Sequence, residues 1–211
     1  MSTSSRWTVA VLAVLIVLGA GLWVQLDRNG SPGQAPARQH RDADTAAALA
    51  EPRARAELAP CPADGPGDGP SELRGIRVEC AGDGEEVDVA KALAGRTVVL
   101  NLWAYWCAPC AEELPAMAEY QRRVGPTVTV VTVHQDENET AALLRLAELG
   151  VRLPTLQDGR RLIAAALQVP NVMPATVVLR SDGSVAEILP RSFASADEIA
   201  AAVDPQIGVP G

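Results

Sequence analysis

The chain has 211 residues, with 18 Lys and Arg against 26 Asp and Glu, a formal net charge of −8 at pH 7. With no basic cluster, that balance argues against a nucleic-acid-binding surface. The N-terminal third does not look globular, and the remaining stretch from Leu73 suffices for one ordinary domain.

The first predicted element is apolar. Trp7 to Leu26 is an almost unbroken hydrophobic stretch, and twenty helical residues at about 1.5 Å each cross the roughly 30 Å hydrocarbon core. A cleavable signal peptide has an apolar region of only about 7–15 residues. The length therefore predicts a retained signal anchor within 1–28, with a cleaved, secreted form as the alternative. Trp7 and Trp23 bracket the span as interface anchors do. Residues 29–72 are rich in Pro, Ala, Gly, Arg and Asp and nearly devoid of large apolar side chains. Such a segment cannot offset its ordering entropy, which predicts a flexible tether with one frayed helix at Asp44–Leu58. The domain is expected over 73–211.

Within it, Gly75–Val78 and Glu86–Val89 form a candidate strand pair around a Gly82-Asp83-Gly84 turn. Ala90–Ala94 is a candidate helical turn ended by Gly95. Thr97–Trp103 is a near-continuous apolar run, as a central strand covered on both faces requires. A helix follows Cys107, with Leu114 and Met117 at helical spacing and Pro115 bending it. Thr127–Val133 is a second buried strand, and Glu137–Leu149 an amphipathic helix closed by Gly150. Arg160–Gln168 is a further helix; Ala175–Arg180 and Val185–Leu189 form a hairpin around Ser181-Asp182-Gly183-Ser184. Ser195–Val203 is a terminal helix with a capping box, Ser195 followed by Glu198. This order predicts an α/β domain: a central mixed β-sheet flanked by helices on both faces.

The chemistry sits in Trp106-Cys107-Ala108-Pro109-Cys110. The apolar strand delivers two cysteines into the first turn of a helix, where unpaired N–H groups and the positive dipole end stabilise an anion. A free thiol titrates near about 8.5, and a Cys-X-X-Cys pair so placed at roughly 3.5–7.5. The spacing points to thiol–disulfide exchange, Cys107 attacking as thiolate and Cys110 resolving the mixed disulfide.

These motifs resemble the thioredoxin superfamily, specifically the membrane-tethered TlpA/ResA-type extracytoplasmic thiol–disulfide oxidoreductases. The resemblance covers about Leu73 to Val203. It rests on the run Val99 to Cys110, on Pro115, and on Met173-Pro174-Ala175-Thr176, which stands where that family carries its cis-proline. It implies a thioredoxin-like fold and a docking surface framed by Trp106 and Pro174, with Pro109 and Met173 supporting the site. It also implies that Glu113 lies near the thiols, a solvated helix glutamate being the alternative. Asn101 stands where cytosolic thioredoxins have a buried aspartate. Protein disulfides or dithiols would be the partners, with a membrane electron donor and no cofactor or metal; a reductant role, in cytochrome c maturation for instance, follows the family.

Cys61 and Cys80 are not required by that fold. They make either a structural bridge, which places the domain in an oxidising, extracytoplasmic compartment, or a second redox pair. His134 is expected in a polar turn with Gln135 and Asp136, and Trp103 in the core. Two other functions remain open: a copper metallochaperone using the cysteines with a histidine such as His134, and a peroxiredoxin-type peroxidase.

Overall fold

A computed structural model of the protein describes residues 44–208. The apolar span Trp7–Leu26 and residues 29–43 of the expected tether lie outside the described residues. Among the described residues no helix is long and apolar enough to cross a membrane.

The sheet has seven strands: β1 (Arg77–Cys80), β2 (Glu86–Asp88), β3 (Val98–Trp103), β4 (Thr129–His134), β5 (Thr155–Gln157), β6 (Ala175–Leu179) and β7 (Val185–Leu189), in the order β2-β1-β5-β4-β3-β6-β7. The pairs β3–β4 and β4–β5 are parallel and the other four antiparallel, so the expected mixed sheet is present. Six helices accompany it among the described residues: α1 (Ala46–Ala56), α2 (Val89–Leu93), α3 (Ala108–Val124), α4 (Glu139–Leu149), α5 (Leu162–Ala166) and α6 (Ala196–Ile207).

Strand β3 is buried along its whole length and alternates between two cores. Val99 and Trp103 pack with Leu114, Met117 and Tyr120 of α3, Leu146 of α4 and Ile199 of α6. Val98, Leu100 and Leu102 pack on the other face with Val89 and Leu93 of α2 and Ile163 of α5. A period of two on a doubly covered strand sends successive side chains to opposite faces. Asn101 therefore faces the α3 side, between Val99 and Trp103.

Two sequence expectations are corrected, and one strand goes unread in the sequence. The tether expected over 29–72 is packed from residue 44 onward. Leu49 and Ala56 of α1 are buried against Leu143 and Ala81, and Arg53 pairs with Glu79 and, at 3.0 Å, with Glu139. Asp44 accepts the N–H groups of Glu139 (3.2 Å) and Thr140 (3.0 Å) at the start of α4. The helix was expected to fray because composition weighs large apolar residues; here alanines allow close approach and ion pairs fasten it. Strand β5 had no sequence signal, because three residues are too few to show a period. Second, the helix expected over Arg160–Gln168 shrinks to α5, because Arg161 sits in the left-handed region (φ 58°). The capping box appears in shifted form: Glu198 N–H donates to Ser195 Oγ (3.2 Å), while the Glu198 carboxylate accepts from Ala194 N–H (2.9 Å).

Candidate redox site

Strand β3 ends at Trp103, and Ala104-Tyr105-Trp106 turn the chain into α3, with Cys107 N–H donating to Ala104 O at 3.0 Å. Cys107 is the N-cap of α3: its Sγ accepts the N–H of Cys110 at 3.2 Å. Sulfur thus occupies the place an Asp or Ser oxygen fills in an ordinary cap, receiving an orphan helix donor. Cys107 and Cys110 are joined as a disulfide, with Cα atoms 5.3 Å apart. Cys107 is 6 % exposed and Cys110 0 %, so the first sulfur is the one within reach of another molecule. Ala108 and Pro109, between them, are exposed.

Around this pair lies an apolar rim. Trp106 is 57 % exposed, and its Nε1–H donates to Asp136 Oδ2 at 2.9 Å, which fixes the indole across the loop after β4. Met173–Pro174 is a cis peptide bond just ahead of β6. In the β3–β6 register Ala175 stands opposite Leu102, so this loop meets the end of β3 from which the cysteine turn departs. Met173 packs against the cluster that contains both cysteines, Pro174 is buried, and Val172 is exposed.

Glu113, one helical turn beyond Cys110, is fully buried rather than solvated. Its carboxylate accepts Asn101 Nδ2–H at 2.8 Å and Phe193 N–H at 3.1 Å. Burial pushes its pKa up to about 7, opposed by those two hydrogen bonds and by the charge of Arg191. It is thus poised to change protonation near neutrality. Sequence reasoning had no means of seeing Phe193, eighty positions away, as the second donor.

His134 is corrected. It is the last residue of β4, fully buried, with its ring 4.9 Å from that of Trp103. Nδ1 lies 2.8 Å from Gln157 Oε1, and Gln157 Nε2 donates to Asp136 O at 2.7 Å, which turns the amide oxygen toward the ring. Nδ1 therefore carries the proton, and burial lowers the ring's pKa, keeping it neutral. Strand β4 extends one residue further than its apolar run suggested. Among the described residues no group of three or more His, Cys, Asp and Glu side chains is placed to hold a metal ion. Trp103 is buried, as expected.

Cys61 and Cys80 form a second disulfide, with Cα atoms 6.0 Å apart. Cys80 aligns with Leu156, then Val133, then Leu102 of β3. Three strand spacings of about 4.8 Å put Cys80 on the order of 14 Å from Leu102, and the Cys107–Cys110 turn lies beyond the end of β3, further along the chain. Thiol–disulfide exchange requires sulfurs in contact, so this arrangement matches a clamp that ties the α1 segment to β1.

Residues 66–198 match the Redoxin family model. The chain belongs to the Redoxin family. It is 30 % identical over 108 residues to the thiol–disulfide oxidoreductase ResA of Bacillus subtilis (strain 168), which covers 51 % of this chain and 59 % of that protein. The Redoxin chain thus spans about three fifths of the curated relatives' length. Among solved structures it resembles a DsbF homologue from Corynebacterium diphtheriae (TM-score 0.55, 26 % identity, 70 % of this chain and 99 % of that one). It also resembles a secreted thiol–disulfide isomerase from Corynebacterium glutamicum (TM-score 0.57, 24 % identity, 64 % and 85 %). The fold of this family member is thioredoxin-like.

Proposed function

We propose that this chain is an extracytoplasmic thiol–disulfide oxidoreductase whose working groups are Cys107 and Cys110. The observation that carries the reading is the capping of α3 by Cys107 Sγ, 3.2 Å from Cys110 N, in the more exposed member of a bonded pair. In the reduced protein that donor and the helix N-terminus favour the thiolate.

The thiolate attacks one sulfur of a partner's disulfide. A Cys107–partner bond forms, the partner's S–S bond breaks, and the partner's other sulfur leaves as a thiolate that takes a proton. Cys110 then loses its proton and attacks Cys107 Sγ, restoring the intramolecular disulfide and releasing the partner's second thiol. The chain loses two electrons and the partner gains them. Glu113, one turn from Cys110 and with a pKa of about 7, is the carboxylate we assign as acceptor of the Cys110 proton. Trp106, Pro109 and Met173 offer the surface on which the partner lies, and the buried Pro174 shapes the Met173 loop beside it.

We infer a reductant role by likeness to ResA, with cytochrome c maturation as its setting and a thiol-transferring membrane protein as the electron donor. An extracytoplasmic location is supported by the Cys61–Cys80 bridge, by the secreted relative, and by the apolar stretch Trp7–Leu26, read as the anchor of 1–28 ahead of a tether.

The test is a pair of variants. Cys107→Ser should abolish insulin disulfide reduction, and Cys110→Ser should accumulate a mixed disulfide with the natural partner. Full activity in both variants would remove the assignment.

A further inference from the structure

Arg161 stands at the rim of this site with its charge unanswered. It adopts a left-handed backbone conformation, φ 58° and ψ 34°, immediately before α5, a conformation that disfavours a residue bearing a side chain. Asp158 holds it there. Arg161 N–H donates to Asp158 O (2.9 Å), and the Asp158 carboxylate takes the N–H groups of Leu162 (2.9 Å) and Ile163 (2.8 Å).

The guanidinium is held as firmly as the backbone. Nε donates to Gln135 Oε1 at 2.8 Å and Nη1 to Asn171 Oδ1 at 2.6 Å. Both partners are neutral amides, and among the described residues Arg161 makes no salt bridge. That is unexpected in a chain with 26 acidic against 18 basic residues. Gln135 is nine-tenths buried, and its Nε2 has no partner, so the amide is set by Arg161 and not by the interior.

The two amides belong to the loops that flank the disulfide. Gln135 N–H donates to Trp103 O (2.9 Å), at the root of the cysteine turn. Asn171 leads directly into Val172, Met173 and cis-Pro174. Beside them opens a depression of about 300 Å³ lined by Arg160, Arg161, Ala164, Ala165, Val169 and Asn171. A guanidinium has five N–H donors, so two bonds to the protein leave a fork for an incoming acceptor.

We propose that Arg161 is a specificity-determining residue that binds a carboxylate side chain of the partner protein. That carboxylate lies on the segment crossing the Met173–Pro174 loop as the partner's disulfide reaches Cys107. The proposal rests on the exchange reading above and deepens it: the preferred substrate carries Asp or Glu near its reacting cysteine. Gln135 and Asn171 are positioning residues, aiming the guanidinium.

The experiment uses the full chain, reduced, and a set of synthetic peptides closed by the same intramolecular disulfide. Each peptide carries Glu or Gln at one of two positions on either side of the attacked cysteine. At low salt one Glu peptide should be reduced about fivefold faster than its Gln counterpart, the advantage falling below about twofold near 0.5 M salt. Arg161→Gln should collapse the Glu/Gln ratio to about one, and Arg161→Lys should keep part of it. Equal rates for every Glu/Gln pair with the unaltered chain overturn the proposal, and so does a ratio that survives Arg161→Gln. If the reduced chain acts on no peptide and not on the neutral disulfide 4,4′-dithiodipyridine, the exchange reading itself falls, and this proposal with it.

Discussion

Asn101 and Glu113 meet inside the protein, an amide nitrogen donating to a carboxylate oxygen at 2.8 Å with both side chains sealed from solvent. One comes from the central strand and the other from the helix that the redox pair opens. The contact ties the floor of the site to its helix through a group whose charge is not fixed near neutral pH.

That contact gives a signed pH dependence. Burial raises the folded-state pKa of Glu113 from 4.5 to about 7. A carboxyl so raised binds its proton more tightly folded than unfolded. Its stabilisation is complete below about pH 4.5 and is lost as pH rises through about 7. Urea unfolding of the oxidised protein at intervals from pH 5 to 8 should show stability falling by up to about 3 kcal/mol from this group. Glu113→Gln should flatten that part of the slope. An unchanged slope in the variant would mean Glu113 does not titrate there.

Asn101→Asp tests the same contact from the other side. Two carboxyls at hydrogen-bond distance cannot both ionise cheaply, so the variant should be near the parent in stability at pH 5. At pH 8 it should be weaker by about 2 kcal/mol. Equal losses at both values would point to simple packing damage.

Much of the site was legible in the sequence because its signals are local. Cys107 and Cys110 lie in one turn, Thr97–Trp103 declares a doubly covered strand, and Gly150 and Ser195 mark helix ends that the structure places at the same residues. What stayed hidden depends on partners distant in sequence. The burial of Glu113 needs Phe193, that of His134 needs Gln157, and the docking of α1 needs Glu79 and Glu139 to meet Arg53. Arg161 was hidden for another reason: nothing in an Arg-Arg-Leu-Ile run announces a left-handed residue.

Arg53→Ala should show what holds α1 in place. Among the described residues Arg53 is the only cation paired with the buried Glu139, whose pKa is pushed up to about 7, first by burial. Removing it leaves an uncompensated carboxylate, a loss of about 2 kcal/mol at pH 8, discounted because Arg53 is partly exposed. At pH 5 the carboxyl takes a proton and the loss should shrink to below about 1 kcal/mol. Chemical denaturation at the two pH values decides it, and a loss independent of pH would assign Arg53 a packing role alone.

The second disulfide should matter for stability and not for exchange. A bridge across a separation of 19 residues restricts the unfolded chain by about 3 kcal/mol in the loop-entropy model. The double variant Cys61→Ser with Cys80→Ser should lose about that much and expose α1 amides to hydrogen exchange. Its insulin reduction should stay within about twofold of the parent, since Cys80 lies three strand spacings from β3, the strand that leads to Cys107. A collapse of activity in a folded double variant would make Cys61–Cys80 a participant in electron transfer.

The two sulfurs of the Cys107–Cys110 pair should differ sharply once reduced. Cys107 Sγ receives the Cys110 N–H at the helix start and retains some exposure, while Cys110 has none. Alkylation requires both an available thiolate and access for the reagent, and only the first residue has both. Brief iodoacetamide treatment of the reduced protein at pH 7, read by peptide mass mapping, should label Cys107 at least about tenfold faster than Cys110. Replacing Pro109 by Gly should narrow the difference if it loosens the first helical turn and lets the reagent reach the deeper sulfur. Preferential labelling of Cys110 would reverse the order of attack assigned here, making the buried sulfur the nucleophile and the exposed one its resolver.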